Sequence, residues 1–235
     1  MNELSITERT LACEGATLEY LDAGRTTFAL KEVSVALPPG KFYGIMGPSG
    51  SGKSSLLYVL SGLKPPTHGS ARFGSFVYNQ NTETAVTDLR RQRFGFVFQQ
   101  PFLLPYLTAL ENIVAAAPKV DAAAKNKAME HLTHLGMSGL ENKQPSQLSG
   151  GEKQRVSVVR AMMNEPDVIF ADEPTAALDR GNGFRVIEAL SGWRERGGTV
   201  VVVTHDGDML QGADAILLLR DGVLTDIENR SGDKR

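Results

Sequence analysis

The sequence predicts an α/β fold: a mostly parallel sheet covered by helices on both faces, an antiparallel β subdomain, and an inserted α-helical subdomain. Three observations lead there. Strand-sized apolar runs at Phe42–Met46, Phe94–Phe98, Val168–Ala171, Thr199–Thr204 and Ala215–Arg220 are separated by helix-like stretches, the pattern of parallel strands joined by crossovers. Two runs near the start, Leu11–Tyr20 and Leu30–Leu37, flank the turn residues Asp22-Ala23-Gly24 and stop at Pro38-Pro39-Gly40, so they read as an antiparallel pair. From about Thr108 to Asn164 the chain reads as several helices without a strand.

In order, Phe42–Met46 runs straight into a glycine-rich loop, and Ser54–Ser61 reads as a helix closed by Gly62 and Pro65-Pro66. A helix is expected from Asp179, and Asp221-Gly222 marks a hairpin into a final strand. The expected division is one domain over 1–235, with a core at about 1–99 and 165–235 and a helical subdomain at about 100–164.

Composition narrows the classes. The chain has 235 residues and a formal net charge of −2, so no basic field points to nucleic acid. Cys13 is the only cysteine, which excludes an internal disulfide and fits a reducing compartment. Met1-Asn2-Glu3-Leu4-Ser5 has neither the positive nor the apolar segment of a signal peptide. No apolar run approaches the roughly 20 residues that span a bilayer. The chain is therefore expected to be soluble on its own.

Gly47-Pro48-Ser49-Gly50-Ser51-Gly52-Lys53-Ser54 fits G-x-x-x-x-G-K-[ST] between a strand and a helix. A triphosphate needs several backbone N–H groups pointing inward, and glycines keep side chains out of their way. Lys53 supplies the charge for the β- and γ-phosphates, and the Ser54 hydroxyl is a Mg²⁺ ligand in this pattern. Ser55 follows at the helix start. This predicts a P-loop NTPase core without distinguishing kinases, GTPases and ATPases.

A second helix start, Leu148-Ser149-Gly150-Gly151-Glu152, holds a capping box from Ser149 to Glu152. The box leaves the glycines unexplained, since each costs about 1 kcal/mol against alanine within a helix. A large anion approaching the first-turn N–H groups is a reason for them.

With these two motifs in this order the sequence resembles the ABC ATPase family, whose signature is LSGGQ and here LSGGE; the likeness spans nearly the whole chain. The resemblance implies that Ser149, Gly150 and Gly151 reach the γ-phosphate of ATP held by a second copy. It implies a homodimer of ATPase subunits working beneath a transmembrane permease, on the cytoplasmic face of the cell membrane. Asp172 resembles the carboxylate that holds Mg²⁺, and Glu173 the general base. Gln99 matches the glutamine linking Mg²⁺ and water to the membrane partner, although Gln100 stands beside it. Phe102-Leu103-Leu104-Pro105 follows as part of the surface offered to that partner. His205 matches the histidine that senses the γ-phosphate. Asp179 aligns with the loop after the carboxylates and is equally an N-cap. Tyr20 stands where the family stacks an aromatic on adenine, while Phe28 is expected in the core of the second strand.

The stretch from Phe96 to Asn112 looks like the group for lipoprotein release, macrolide export and antimicrobial-peptide resistance, from which Asn79-Gln80-Asn81 departs. A non-transport ABC ATPase of the repair or translation type is the alternative. Such proteins carry long coiled coils or paired cassettes, whereas fewer than a hundred residues separate Gly52 from Leu148 here.

Overall fold

The computed structural model describes residues 6–22 and 25–230. The expected turn residues Ala23 and Gly24, and the leader reading on Met1–Ser5, lie outside them.

A six-stranded sheet has the order β10-β9-β3-β8-β7-β6. Its members are β3 (Phe42–Met46), β6 (Phe94–Val97), β7 (Val168–Asp172), β8 (Thr199–Val203), β9 (Ala215–Arg220) and β10 (Val223–Asn229). All neighbours pair in parallel except β9 with β10. The reason is visible in β8, where alternation splits the valines between two cores. Val200 and Val202 join the core beneath the helices, and Val201 and Val203 join the core on the opposite face. β7 divides likewise, Ile169 and Ala171 against Val168 and Phe170. A strand covered on both faces has no polar side, hence the continuous apolar runs.

A second, antiparallel sheet has the order β2-β1-β4-β5, built from β1 (Leu11–Asp22), β2 (Arg25–Leu37), β4 (His68–Phe73) and β5 (Phe76–Val77). Helix α1 (Lys53–Leu60) lies between the two sheets, burying Leu56, Leu57, Val59 and Leu60. Phe28 is not the core residue that its position in β2 suggests. It is 46% exposed and pairs across the hairpin with Glu19, next to a register shift in the ladder. That shift breaks the in–out alternation from which a core position was expected.

Residues 63–93 carry β4, β5 and helix α2 (Glu83–Arg93), which runs into β6. Asn79 and Asn81 close the connection by donating to the Gly69 and Val77 carbonyls, and Thr82 caps α2. The helical part holds α3 (Ala109–Val114), α4 (Ala122–His134) and α5 (Gly150–Met162). Beyond β7, α6 (Arg180–Glu195) returns the chain to β8.

The joint between β6 and α5 is tight. A Cβ on Gly95 would stand 2.3 Å from the Ala161 carbonyl oxygen, a backbone atom that cannot swing aside. Gly95→Ala is therefore expected to cost about 1–3 kcal/mol. It should lower the urea midpoint at unchanged m-value; an unmoved midpoint would mean the two elements separate freely.

Candidate functional site

The loop between β3 and α1 encloses a cleft of about 380 Å³ at the carboxyl ends of the parallel strands, where ligands of open α/β sheets bind. Its walls are Ser49 to Ser55, with Gln99, Glu173 and His205 opposite. Of the two neighbouring glutamines, Gln99 reaches it and Gln100 does not. Two glycines fix the loop's shape. Gly47, at φ 155°, has the Leu219 carbonyl oxygen 2.1 Å from where a Cβ would sit; Gly52, at φ 97°, has that of Ala29 at 2.3 Å. Gly50 instead faces open space. Lys53 donates to the Gly47 and Pro48 carbonyls at 2.9 Å each, so the ammonium is held over the loop by its own backbone. The buried Ser51 hydroxyl has no protein partner.

At the end of β7, Asp172 is only 4% exposed. Ser54 Oγ donates to its Oδ1 and Tyr58 Oη to its Oδ2, both at 2.9 Å. Burial, then the Asp172 charge, push the Tyr58 phenol up to about 12, so it is a donor at neutral pH. The next residue, Glu173, has a left-handed backbone at φ 48°, which is costly for a non-glycine residue. That conformation accompanies an N–H donating to the Val203 carbonyl and a carboxylate whose two oxygens lie 3.0 Å from His205 Nδ1. The tautomer with its proton on Nδ1 satisfies this contact.

Gln99 sits in a loop anchored to α5 from both sides. Gln154 Nε2 donates to the Phe98 carbonyl at 3.0 Å, and Arg160 donates to those of Pro101 and Phe102 at 2.7 and 2.8 Å. Beside the loop runs a groove of about 700 Å³ lined by Phe96, Phe98, Arg91, Arg160 and Ala115 to Pro118.

The other expected residues lie elsewhere. Ser149, Gly150 and Gly151 are outside the lining of the cleft on their own chain. Ser149 and Glu152 form the expected capping box. Gly151 has a reason beyond anion access: a Cβ there would stand 2.8 Å from Leu178 Cδ2, so the helix start packs on the loop that leads to Asp179. Asp179 caps α6 through the Asn182 N–H at 3.0 Å. Tyr20 is 41% exposed rather than core and does not line the phosphate cleft; the Lys64 ammonium lies 5.2 Å from its ring centroid. Tyr58 was not among the expected site residues, although its place four residues after Ser54 puts both hydroxyls on one helix face.

A mostly parallel α/β sheet with a glycine phosphate loop, and paired acids at the end of a buried strand, defines the nucleotide-binding P-loop class. The ABC transporter family profile matches residues 30–176, and the chain belongs to that family. It is 40% identical over 218 residues to a macrolide export ATP-binding/permease protein MacB of Rhodopseudomonas palustris, covering 92% of this chain. It is 42% identical over 211 residues to the MacB of Mannheimia succiniciproducens, covering 88%. The chain spans about a third of the length of these relatives, 33% in each case. Two solved structures of the cassette MJ0796 superpose with TM-scores of 0.87 and 0.88 at 36% identity, over 93% of this chain and 98% of that one. One is a dimeric post-hydrolysis state bound to ADP and Pi, the other a dimeric bacterial ABC transporter cassette.

The capping box yields a stability test on the isolated chain. Ser149→Ala is expected to cost about 1 kcal/mol in urea denaturation. The Ser149 N–H holds the Glu152 carboxyl below its ordinary range. That contribution is present above the unfolded carboxylate value and is lost as pH falls through the lower folded one. Glu152→Gln keeps an acceptor without the charge, so wild type should be the more stable at pH 7 and lose that advantage on acidification. An advantage that grew in acid would contradict the assignment.

Proposed function

We propose that this chain binds ATP in the cleft above Lys53, completes the site with Ser149, Gly150 and Gly151 of a second copy, and hydrolyses the nucleotide to drive a transmembrane permease. One observation carries the reading: the phosphate loop and the second glycine-bearing helix start are both built, yet the second lies outside the cleft formed by the first. A homodimer closed around two ATP molecules brings each such helix to the other copy's cleft. The dimeric cassettes that the chain resembles support this arrangement.

The cleft fits the nucleotide's phosphates. It offers the Lys53 charge, open space at Gly50 and the unpartnered Ser51 hydroxyl. Magnesium fits Ser54 and Asp172, whose oxygens adjoin, with Gln99 across the cleft. This ion takes one or two protein carboxylates and completes its shell with phosphate and water. When bound it supplies charge neutralisation at the β- and γ-phosphates.

Glu173 accepts the proton of the attacking water. The water oxygen bonds to the γ-phosphorus, the bond to the bridging oxygen breaks, and its electron pair stays on ADP while phosphate leaves. His205 holds the Glu173 carboxylate and lies where the γ-phosphate will approach. Gly47 and Pro48 shape the loop rather than lining it, Ser49 and Ser55 border the phosphates, Tyr20 offers its ring to adenine, and Asp179 sets the loop on which Gly151 rests. Residues 1–99 and 165–235 act as the catalytic core and 100–164 as the helical subdomain.

The groove beside Gln99 is the surface proposed for the permease, on the cytoplasmic face of the membrane. Exposed Phe102 packs edge-on against Phe98 of the groove, and exposed Leu104 and Tyr106 follow it in the chain. Among the described residues no helix is long and apolar enough to cross a membrane. The relatives are described as macrolide export ATP-binding/permease proteins, which supports an export role.

Light scattering of Glu173→Gln tests the composite site. The variant is expected to bind ATP, shift from monomer to dimer with Mg-ATP, and fail to turn over. Hydrolysis at the wild-type rate would remove Glu173 from its role, and binding of ATP without dimerisation would count against the site shared between copies. Lys53→Ala should weaken ATP binding by roughly ten- to a hundredfold, the worth of a charged hydrogen bond; unchanged binding would displace the nucleotide from this cleft.

A further inference from the structure

We propose that Tyr58 is a positioning residue for Asp172, orienting its carboxylate so that one oxygen stays beside Ser54 for the metal of Mg-ATP. The inference rests on the reading of Asp172 as a metal-holding carboxylate. It starts from helical spacing. Ser54 and Tyr58 are four residues apart in α1 and present two hydroxyls to one carboxylate at the end of β7. The two contacts divide the acceptor: Ser54 takes Oδ1 and Tyr58 takes Oδ2, each at 2.9 Å.

The last torsion of an aspartate is broad, so the peptide backbone alone does not fix the plane of its carboxylate. Two donors on opposite oxygens do fix it. They also satisfy a carboxylate that is nearly closed to solvent and would otherwise bear the cost of a buried charge. Tyr58 is itself well held. Its ring packs against the core between the sheets. Its carbonyl accepts the Lys64 N–H at 3.1 Å and the Ser61 hydroxyl at 3.2 Å. Ser54 is the one of the pair that borders the phosphate cleft, whereas Tyr58 is not in its lining. The division of labour follows: Ser54 faces the ligand, and Tyr58 acts through Asp172.

The experiment compares the affinity of the full chain for a fluorescent ATP analogue with Mg²⁺ and with EDTA, in wild type, Tyr58→Phe and Asp172→Asn. Tyr58→Phe removes one oxygen and keeps the packed ring, and its melting temperature is checked alongside. The expected result is a wild-type affinity in EDTA and a loss of about tenfold in the gain brought by Mg²⁺, the scale on which partners of metal ligands act. In ATPase assays the half-saturating Mg²⁺ concentration should rise more than kcat falls, a split that general loosening of α1 would not give. A Mg²⁺ gain equal to wild type in Tyr58→Phe, with the gain abolished in Asp172→Asn, would overturn the role of Tyr58 alone. A gain preserved in Asp172→Asn would overturn the reading of Asp172 and this inference with it.

Discussion

A negative charge has to be kept at the end of a strand that is buried on both faces, and much of the molecule is arranged around that requirement. Asp172 terminates β7, whose other four residues are wholly apolar. A carboxylate there loses hydration and needs donors that solvent does not supply. Both come from α1, through Ser54 and Tyr58. The helix that follows the phosphate loop is thereby tied to the strand that carries the acids. The same helix fills the space between the two sheets, so the loop geometry, the core and the acidic strand end are set by one contact. Glu173, one residue further, leaves the sheet at a positive φ, with its N–H on β8 and its carboxylate against His205.

The parallel core was legible because strands buried on both faces have no alternative reading. Four valines following Thr199 fit no solvated surface, and the structure sorts them alternately into two cores. The phosphate loop and the capping box were legible because their chemistry is local: glycines where backbone must approach closely, and hydroxyl and carboxylate at the distance of one turn. Residues 63–93 were much harder to read. Helix α2 fully buries only Val86, and β4 begins with exposed His68 and Gly69 and alternates only over its last four residues, so each offers too short an apolar period to stand out.

Long-range contacts account for the remaining misses. The exposure of Phe28 depends on a register shift between β1 and β2 that nothing in either strand announces alone. Gly151 was read from its own helix as clearance for an anion, and its neighbour Leu178, on a loop reached only after β7, is a second contact that the helix alone does not announce. Tyr58 carried a usable signal, its spacing from Ser54, but its partner stands more than a hundred residues away, and only the packing of α1 on β7 brings them together.

Helix α5 has a mechanical character that follows from its attachments. Its first turn begins with Gly150 and Gly151, and further along Gln154 and Arg160 grip the backbone on either side of Gln99. These grips are six residues apart, about 9 Å at 1.5 Å per residue, and the helix between them is a stiff rod. The Gln99 loop therefore has little independent travel, because displacing it means breaking three hydrogen bonds or carrying α5 along. The loop that carries Gln99 and the glycine turn that opens the helix are thus fastened to one and the same rod. In engineering terms α5 is a lever with its load and its handle on the same chain, and its throw is limited by how far the close seat of Gly95 under Ala161 lets it rock.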